Sequence, residues 1–175
     1  IADNLRDLKL PILQLPITHP AITYYQSPIT YYLLPVMNIS NNALTLPFVS
    51  VIIPAYNAEI FIARTLESVL SQTYQNIEVL VVDDGSSDKT AEIVKSFAKK
   101  DSRITLLQQS NAGVAAARNL AIEKSRGEYI APIDADDIWY PQNLEKQVKC
   151  FTSATPFVGV VYSWSVDINE KDLLT

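Results

Sequence analysis

The sequence has very little of what several classes of protein require. It holds one cysteine, Cys150, so no disulfide can form within the chain, as is typical of a reducing compartment. We expect this cysteine to be a small core residue on a helix. Basic residues are not in excess, since 14 Lys and Arg stand against 19 Asp and Glu, and this balance disfavours a nucleic-acid partner. The one histidine, His19, has no partner at metal-ligand spacing.

Long apolar runs are also missing. No stretch reaches the roughly 18 uninterrupted apolar residues of a membrane-spanning helix, so we predict no transmembrane segment. The first residue is isoleucine, and we expect the chain to be an excerpt of a longer protein. The expected location is the cytoplasm, and peripheral association with a membrane surface is left open.

Charged residues are absent from residues 10–58, and six of the ten prolines occur at or before Pro47. Proline at this density excludes long helices and central strands. We therefore divide the chain into two parts. Residues 1–47 are a Pro- and Tyr-rich extended linker or the tail of an upstream region, and residues 48–175 are a folded domain.

From residue 48 onward, apolar runs of strand length alternate with amphipathic helical segments. Strands are predicted at 48–54, 77–82, 104–107, 129–133 and 157–162, and helices at 60–71, 88–100, 113–125 and 141–151. Gly127 is expected to follow the third helix as its C′ residue. The alternation predicts a Rossmann-like α/β fold, with a mostly parallel sheet flanked by helices and a ligand site at the carboxyl ends of the strands.

Carboxylates cluster directly after the fourth predicted strand. Asp134, Asp136 and Asp137 repel one another at this spacing, which favours a hard divalent cation such as Mg²⁺ or Mn²⁺ among them. Asp134 and Asp136 alternate along an extended backbone, so both can face one ion whose open positions phosphate oxygens would fill. The alternative is a solvated acidic turn that only caps a helix.

Polar side chains also follow the other strands. Asp83 and Asp84 end the second strand, where they could accept hydrogen bonds from a nucleobase or ribose, or merely cap a helix and hold the loop. Arg118, early in the next helix, could reach an anionic group, brace the carboxylates or be purely structural. Tyr56 offers a flat surface for a base or sugar, although an aromatic residue there can also belong to the core.

Four segments in this order resemble the family 2 glycosyltransferases of the GT-A fold. The segments that carry the resemblance are Val49–Asn57, Val82–Thr90, Asn111–Asn119 and Asp134–Asp137. The resemblance covers residues 48–175 and implies a nucleotide-sugar donor, usually a UDP-sugar. The sugar would pass to a saccharide or other hydroxyl acceptor, commonly with inversion, in the synthesis of a polysaccharide or cell-envelope glycan.

The resemblance also assigns roles to individual residues. Those expected to bind the nucleotide sugar are Pro54, Tyr56, Asp83, Asp84, Arg118 and Asp134. Tyr56 would lie against the base, Asp84 would hold the uracil, and Arg118 would lie near the base and phosphates. Asp136 would be the main ligand of a Mn²⁺ or Mg²⁺ ion, with Asp134 toward both ribose and metal. The metal would stabilise the leaving nucleoside diphosphate.

The catalytic base of the family, a later Asp or Glu, has no match, because Asp167 and Glu170 come too early. We therefore expect the donor-binding half of a transferase, or alternatively a non-catalytic nucleotide-sugar-binding module or an inactive fragment. A dehalogenase-type phosphatase built on Asp134 and Asp136 is disfavoured, since its downstream lysine and acidic pair are absent. A phosphoacceptor domain built around Asp83 and Asp84 is disfavoured in the same way, because these two acids follow the second strand.

Overall fold

The computed structural model describes residues 46–153, 158–163 and 165–168, so almost all of the predicted linker lies outside the described residues. Strands and helices alternate from residue 49 onward, as the sequence predicts. The elements are β1 (Val49–Ala55), α1 (Ile62–Leu70), β2 (Ile77–Asp83), α2 (Thr90–Ala98), β3 (Ile104–Gln108), α3 (Val114–Lys124), β4 (Tyr129–Pro132) and α4 (Asn143–Ser153).

The four strands form one sheet in the order β3-β2-β1-β4, and every pairing is parallel. In register, Val51 of β1 lies opposite Val79 of β2 and Ala131 of β4. The chain first adds β2 and β3 on one side of β1 and then crosses back to place β4 on the other side. This reversal opens a crevice beyond the carboxyl ends of β1 and β4, which is where ligands bind in such sheets.

Helices cover both faces of the sheet. Alternate side chains of β1 point to opposite sides, so Ile53 packs in a core cluster with Leu66 of α1. Ile52 packs on the other face against Ala117 and Ala121 of α3. All seven residues of β1 are buried. Burial on two faces explains why these strands read as continuous apolar runs rather than as alternating patterns.

A buried polar network closes the amino end of the sheet. Ser50 Oγ and the Arg126 main-chain N–H both donate to Glu78 Oε1 at 2.6 Å, and the Arg126 guanidinium donates to Oε2. Burial by itself would raise the pKa of Glu78, but the hydrogen bonds from Ser50 and Arg126 hold that pKa below its ordinary value. The charged carboxylate therefore stabilises the folded state.

The expected position of Gly127 as the C′ residue of α3 is wrong. Helix α3 ends at Lys124, and the glycines with positive φ in the described part of the chain are Gly85 and Gly113. Gly127 instead donates its N–H to Ser50 Oγ at 2.7 Å, and a Cβ on it would lie 2.6 Å from that same oxygen. Glycine is needed here for close approach, not for backbone conformation.

Two further expectations fail near the end of the described chain. Residues 158–162 form no strand, and Val160 and Tyr162 are 70% and 88% exposed, while residue 157 lies outside the described residues. A β-branched run becomes a strand only where a neighbour pairs with it and burial rewards it. Cys150 is on a helix but exposed, because α4 buries Leu144 and Val148 and Cys150 faces the opposite side.

Candidate functional site

A cavity of about 390 Å³ opens at the crevice between the carboxyl ends of β1 and β4. Its lining comes from the segment after β1, the start of α3 and the segment after β4. The lining residues are Pro54, Tyr56, Asn57, Ala58, Phe61, Val114, Arg118, Asp134, Ala135 and Asp136. Five of the residues predicted from the sequence thus come together, whereas Asp83 and Asp84 lie outside this lining.

The two predicted metal ligands flank a buried residue. Asp134 and Asp136 are exposed and line the cavity, while Ala135 between them is 8% exposed. The hydroxyl of Thr65, a fully buried residue of α1, donates to the Ala135 carbonyl at 2.7 Å. Because this contact anchors the backbone between them, both carboxylates are presented to the same space.

Arg118 pairs with one of these carboxylates. Its Nη2 donates to Asp134 Oδ1, and the two side chains are 19% and 51% exposed. Of the three roles that the sequence left open for Arg118, bracing a carboxylate is thus the one it has in this structure. The guanidinium also lines the cavity, where a phosphate group could compete for the same donors.

The acidic segment Asp134–Asp137 fits a divalent cation for which the protein supplies only some of the ligands. Among the described residues, no three Asp, Glu, His or Cys side chains gather into a metal site, so the candidate ligands here are two side chains, Asp134 and Asp136. The pKa of Asp137 is raised, first by burial and then by repulsion from Asp136, Asp134 and Asp167. Surplus negative charge and open coordination positions suit Mg²⁺ or Mn²⁺ ligated further by phosphate and water.

One wall of the cavity is apolar and accessible. Tyr56, Phe61 and Val114 are 56%, 50% and 53% exposed at the cavity. Phe61 is the N-cap residue of α1, immediately before the helix begins. The sequence predicts no role for Val114. Its position as the first residue of a helix after a loop is the one sequence feature that could have indicated a place in the site.

Asn57 also lines the cavity, although no role is predicted for it from the sequence. It has a positive φ of 49°, a conformation that asparagine tolerates better than most residues. Its N–H donates to Ser86 Oγ, and its Oδ1 accepts from Ser87 N–H, both at 2.9 Å. Asn57 therefore ties the end of β1 to the loop after β2.

The two carboxylates at the end of β2 bond to neighbouring loops. Asp83 accepts from Ser86 N–H and from the Gln108 side chain, each at 3.0 Å. Asp84 accepts from the side chain of Gln109 and from main-chain amides at the start of α3. The contact between Asp84 and a uracil base stays a prediction.

A doubly wound parallel sheet with a cavity at its point of reversal defines a protein of the Rossmann-like α/β class. The sequence model described as "Glycosyl transferase family 2" matches residues 50–175, and the chain belongs to this family. The match covers the sheet apart from Val49, and it covers every residue that lines the cavity. The recognition made from the four segments is confirmed.

Individual proteins agree with this assignment. The putative teichuronic acid biosynthesis glycosyltransferase TuaG of Bacillus subtilis is 44% identical over 104 residues, which are 59% of this chain and 41% of that protein. The mannosyltransferase PcManGT of Pyrobaculum calidifontis, solved with GDP-Man and Mn²⁺, has a TM-score of 0.62 and 34% identity, over 66% of this chain and 35% of that one.

A second solved structure is similar in the same region. TarS (1-349) of S. aureus, in complex with UDP-GlcNAc, has a TM-score of 0.57 and 29% identity, over 66% of this chain and 37% of that one. These likenesses confirm the predicted GT-A fold. The chain spans only 14% to 42% of the lengths of the curated relatives that it matches. No helix in the described part is long and apolar enough to cross a membrane.

Proposed function

We propose that this chain is the donor-binding part of a glycosyltransferase that takes a sugar from a nucleoside diphosphate sugar, with UDP as the nucleotide. The sugar passes, with inversion, to a hydroxyl of a saccharide acceptor in the synthesis of a cell-envelope glycan. The observation that carries the proposal is the meeting of an aromatic side chain, a guanidinium and two carboxylates around one cavity at the crevice of the sheet.

Each of these groups has a chemical task in holding such a donor. The exposed ring of Tyr56 provides a face on which a base stacks. The Arg118 guanidinium, which has five N–H donors, donates to the diphosphate as well as to Asp134. Asp134 and Asp136 would hold a Mg²⁺ or Mn²⁺ ion. That ion, when bound, supplies Lewis-acid stabilisation of the departing diphosphate.

The binding of a metal and of a nucleotide-sugar donor is supported by the negative charge at the cavity and by the ligands found in similar proteins. An acidic cavity would repel a diphosphate unless a cation is placed between them. The similar structure of TarS holds UDP-GlcNAc, and that of PcManGT holds GDP-Man together with Mn²⁺. Within the described part of the chain, the carboxylates that line the cavity are those of Asp134 and Asp136. We therefore propose that the base for the acceptor hydroxyl lies outside this lining.

Titration calorimetry with UDP and GDP tests the proposal. UDP is expected to bind in the presence of Mn²⁺ or Mg²⁺ and to lose most of its affinity without them. Asp136→Ala should abolish the metal-dependent part, whereas Asp101→Ala, at a turn before β3, should not. Equal UDP affinity of the wild type with and without metal would contradict the proposed site. Tighter metal-dependent binding of GDP than of UDP would overturn the choice of nucleotide.

A further inference from the structure

Asp84 is nearly completely buried, at 3% exposure, and its carboxylate is engaged with one neighbouring segment. Oδ1 accepts from Gln109 Nε2 at 2.7 Å and from Ala112 N–H at 2.8 Å, and Oδ2 accepts from Gly113 N–H at 2.8 Å. Three of the roughly four hydrogen-bonding positions of a carboxylate are therefore used on residues 109–113, here called the β3–α3 loop.

These bonds hold the backbone at the entry to α3. The N-cap position of α3 is Gly113, which has no side chain and no capping hydrogen bond of its own. The first amides of a helix need acceptors, and a negative charge there is favoured by the helix dipole. Asp84, just after β2, places a negative charge there and accepts from the N–H of the N-cap residue Gly113 and from the N–H of Ala112 before it.

The backbone is also close at this point. Gly85 has a φ of 74°, and a Cβ on it would lie 2.8 Å from the main-chain nitrogen of Asn111. The Gln109 N–H donates to the Asp83 carbonyl at 3.0 Å. The β3–α3 loop is thus held against the end of β2 by main-chain contact as well as by the Asp84 carboxylate.

The helix that begins at this loop carries two residues of the cavity. Val114 and Arg118 both belong to α3 and line the cavity. Ala117 and Ala121 of α3 are buried against the sheet, and Leu120 and Ile122 pack partly buried on the same cluster. Arg118 lies about one turn after Val114, so the way in which the first turn of α3 is held affects where the guanidinium lies.

We propose that Asp84 is a positioning residue of the donor site, which fixes the start of α3 and thereby places Arg118 against Asp134 and the diphosphate. This inference rests on the proposed function and goes beyond it. A contact of Asp84 with a base would affect only ligands that have a base. Positioning of Arg118 affects every ligand that has a diphosphate.

The test compares UDP with inorganic pyrophosphate, both with Mg²⁺, on wild type and Asp84→Asn at a temperature where circular dichroism shows both to be folded. The Asn side chain presents an amide where a main-chain N–H needs an acceptor. We expect the affinities for UDP and for pyrophosphate to fall by a similar factor of about ten, the loss that accompanies one charge-assisted hydrogen bond. Amide hydrogen exchange at Ala112 and Gly113 should become faster.

Two further variants keep the test decisive. Gln109→Ala removes one of the three bonds and should lower both affinities together by about two- to threefold, even if Asp84→Asn does not fold. Asp101→Asn changes an aspartate that bonds Arg103 instead, and should leave both affinities unchanged.

Other outcomes would overturn the inference. A loss for UDP with unchanged pyrophosphate binding would show a base contact, and unchanged affinity for both ligands would show a purely structural role. If the wild type binds neither ligand, the proposed function itself fails. If the wild type binds both and Asp84→Asn matches it, only the positioning role fails.

Discussion

Replacing Arg118 by glutamine should change the affinities for metal and for nucleotide in opposite directions. In the structure Arg118 is paired with Asp134, so a cation that binds Asp134 must break or share this ion pair. The pair is partly exposed, at 19% and 51%, and such pairs contribute up to about 1 kcal/mol. Removing the competitor should therefore lower the Kd for Mn²⁺ alone by up to about fivefold.

The same substitution should weaken UDP binding in the presence of Mn²⁺. The diphosphate loses a charge-assisted hydrogen bond, and we expect its Kd to rise by at least about tenfold. Electron paramagnetic resonance of unbound Mn²⁺ measures the first effect, and calorimetry measures the second. Arg103→Gln is the matched control, because Arg103 forms a similarly exposed ion pair with Asp101. If Arg118→Gln weakens both Mn²⁺ and UDP, the competition inferred from the ion pair is refuted.

Two other predictions concern the amino end of the sheet. Because the pKa of Glu78 is lower in the folded state, its stabilisation is complete above the unfolded value of about 4.3 and is lost as the pH falls through the folded value. Urea unfolding at pH 7 should show that the free energy of unfolding of Glu78→Gln is about 2 kcal/mol lower than that of the wild type, and this difference should narrow toward pH 3. A difference that does not change with pH would contradict the prediction. Gly127→Ala should lower the free energy of unfolding by about 1–3 kcal/mol, because the added Cβ meets Ser50. Gly159→Ala should lower it by less than about 0.5 kcal/mol, because no described atom lies within 4 Å of the added Cβ. Equal losses for the two variants would refute the close-approach argument.

The strands and helices of the described region were predictable because each is encoded locally. An apolar run such as that of β1 stays apolar throughout because both faces of the sheet are covered, and helix α4 shows its periodicity in Leu144 and Val148. The cavity was predictable in outline for a similar reason. Parallel strands end at one edge, so polar residues that follow them meet there.

The partners of the polar side chains were not predictable in the same way. Asp84 bonds residues 25 to 29 positions later, and the tie between Gly127 and Ser50 spans 77 positions. Such contacts depend on strand order and on the packing of α3, which no local pattern encodes. The failed strand at 158–162 shows the converse, since a run with high β-propensity forms no strand where no neighbour pairs with it.

The central claim is that the cavity between the ends of β1 and β4 binds a metal together with a nucleoside diphosphate. The most direct measurement is the broadening of backbone amide NMR signals by Mn²⁺ in the presence of UDP. We expect the signals of Tyr56, Arg118 and Ala135 to disappear, while those of Glu78 and Gly127 at the opposite end of the sheet persist. Broadening centred away from the cavity, or no UDP-dependent broadening at these residues, would contradict it.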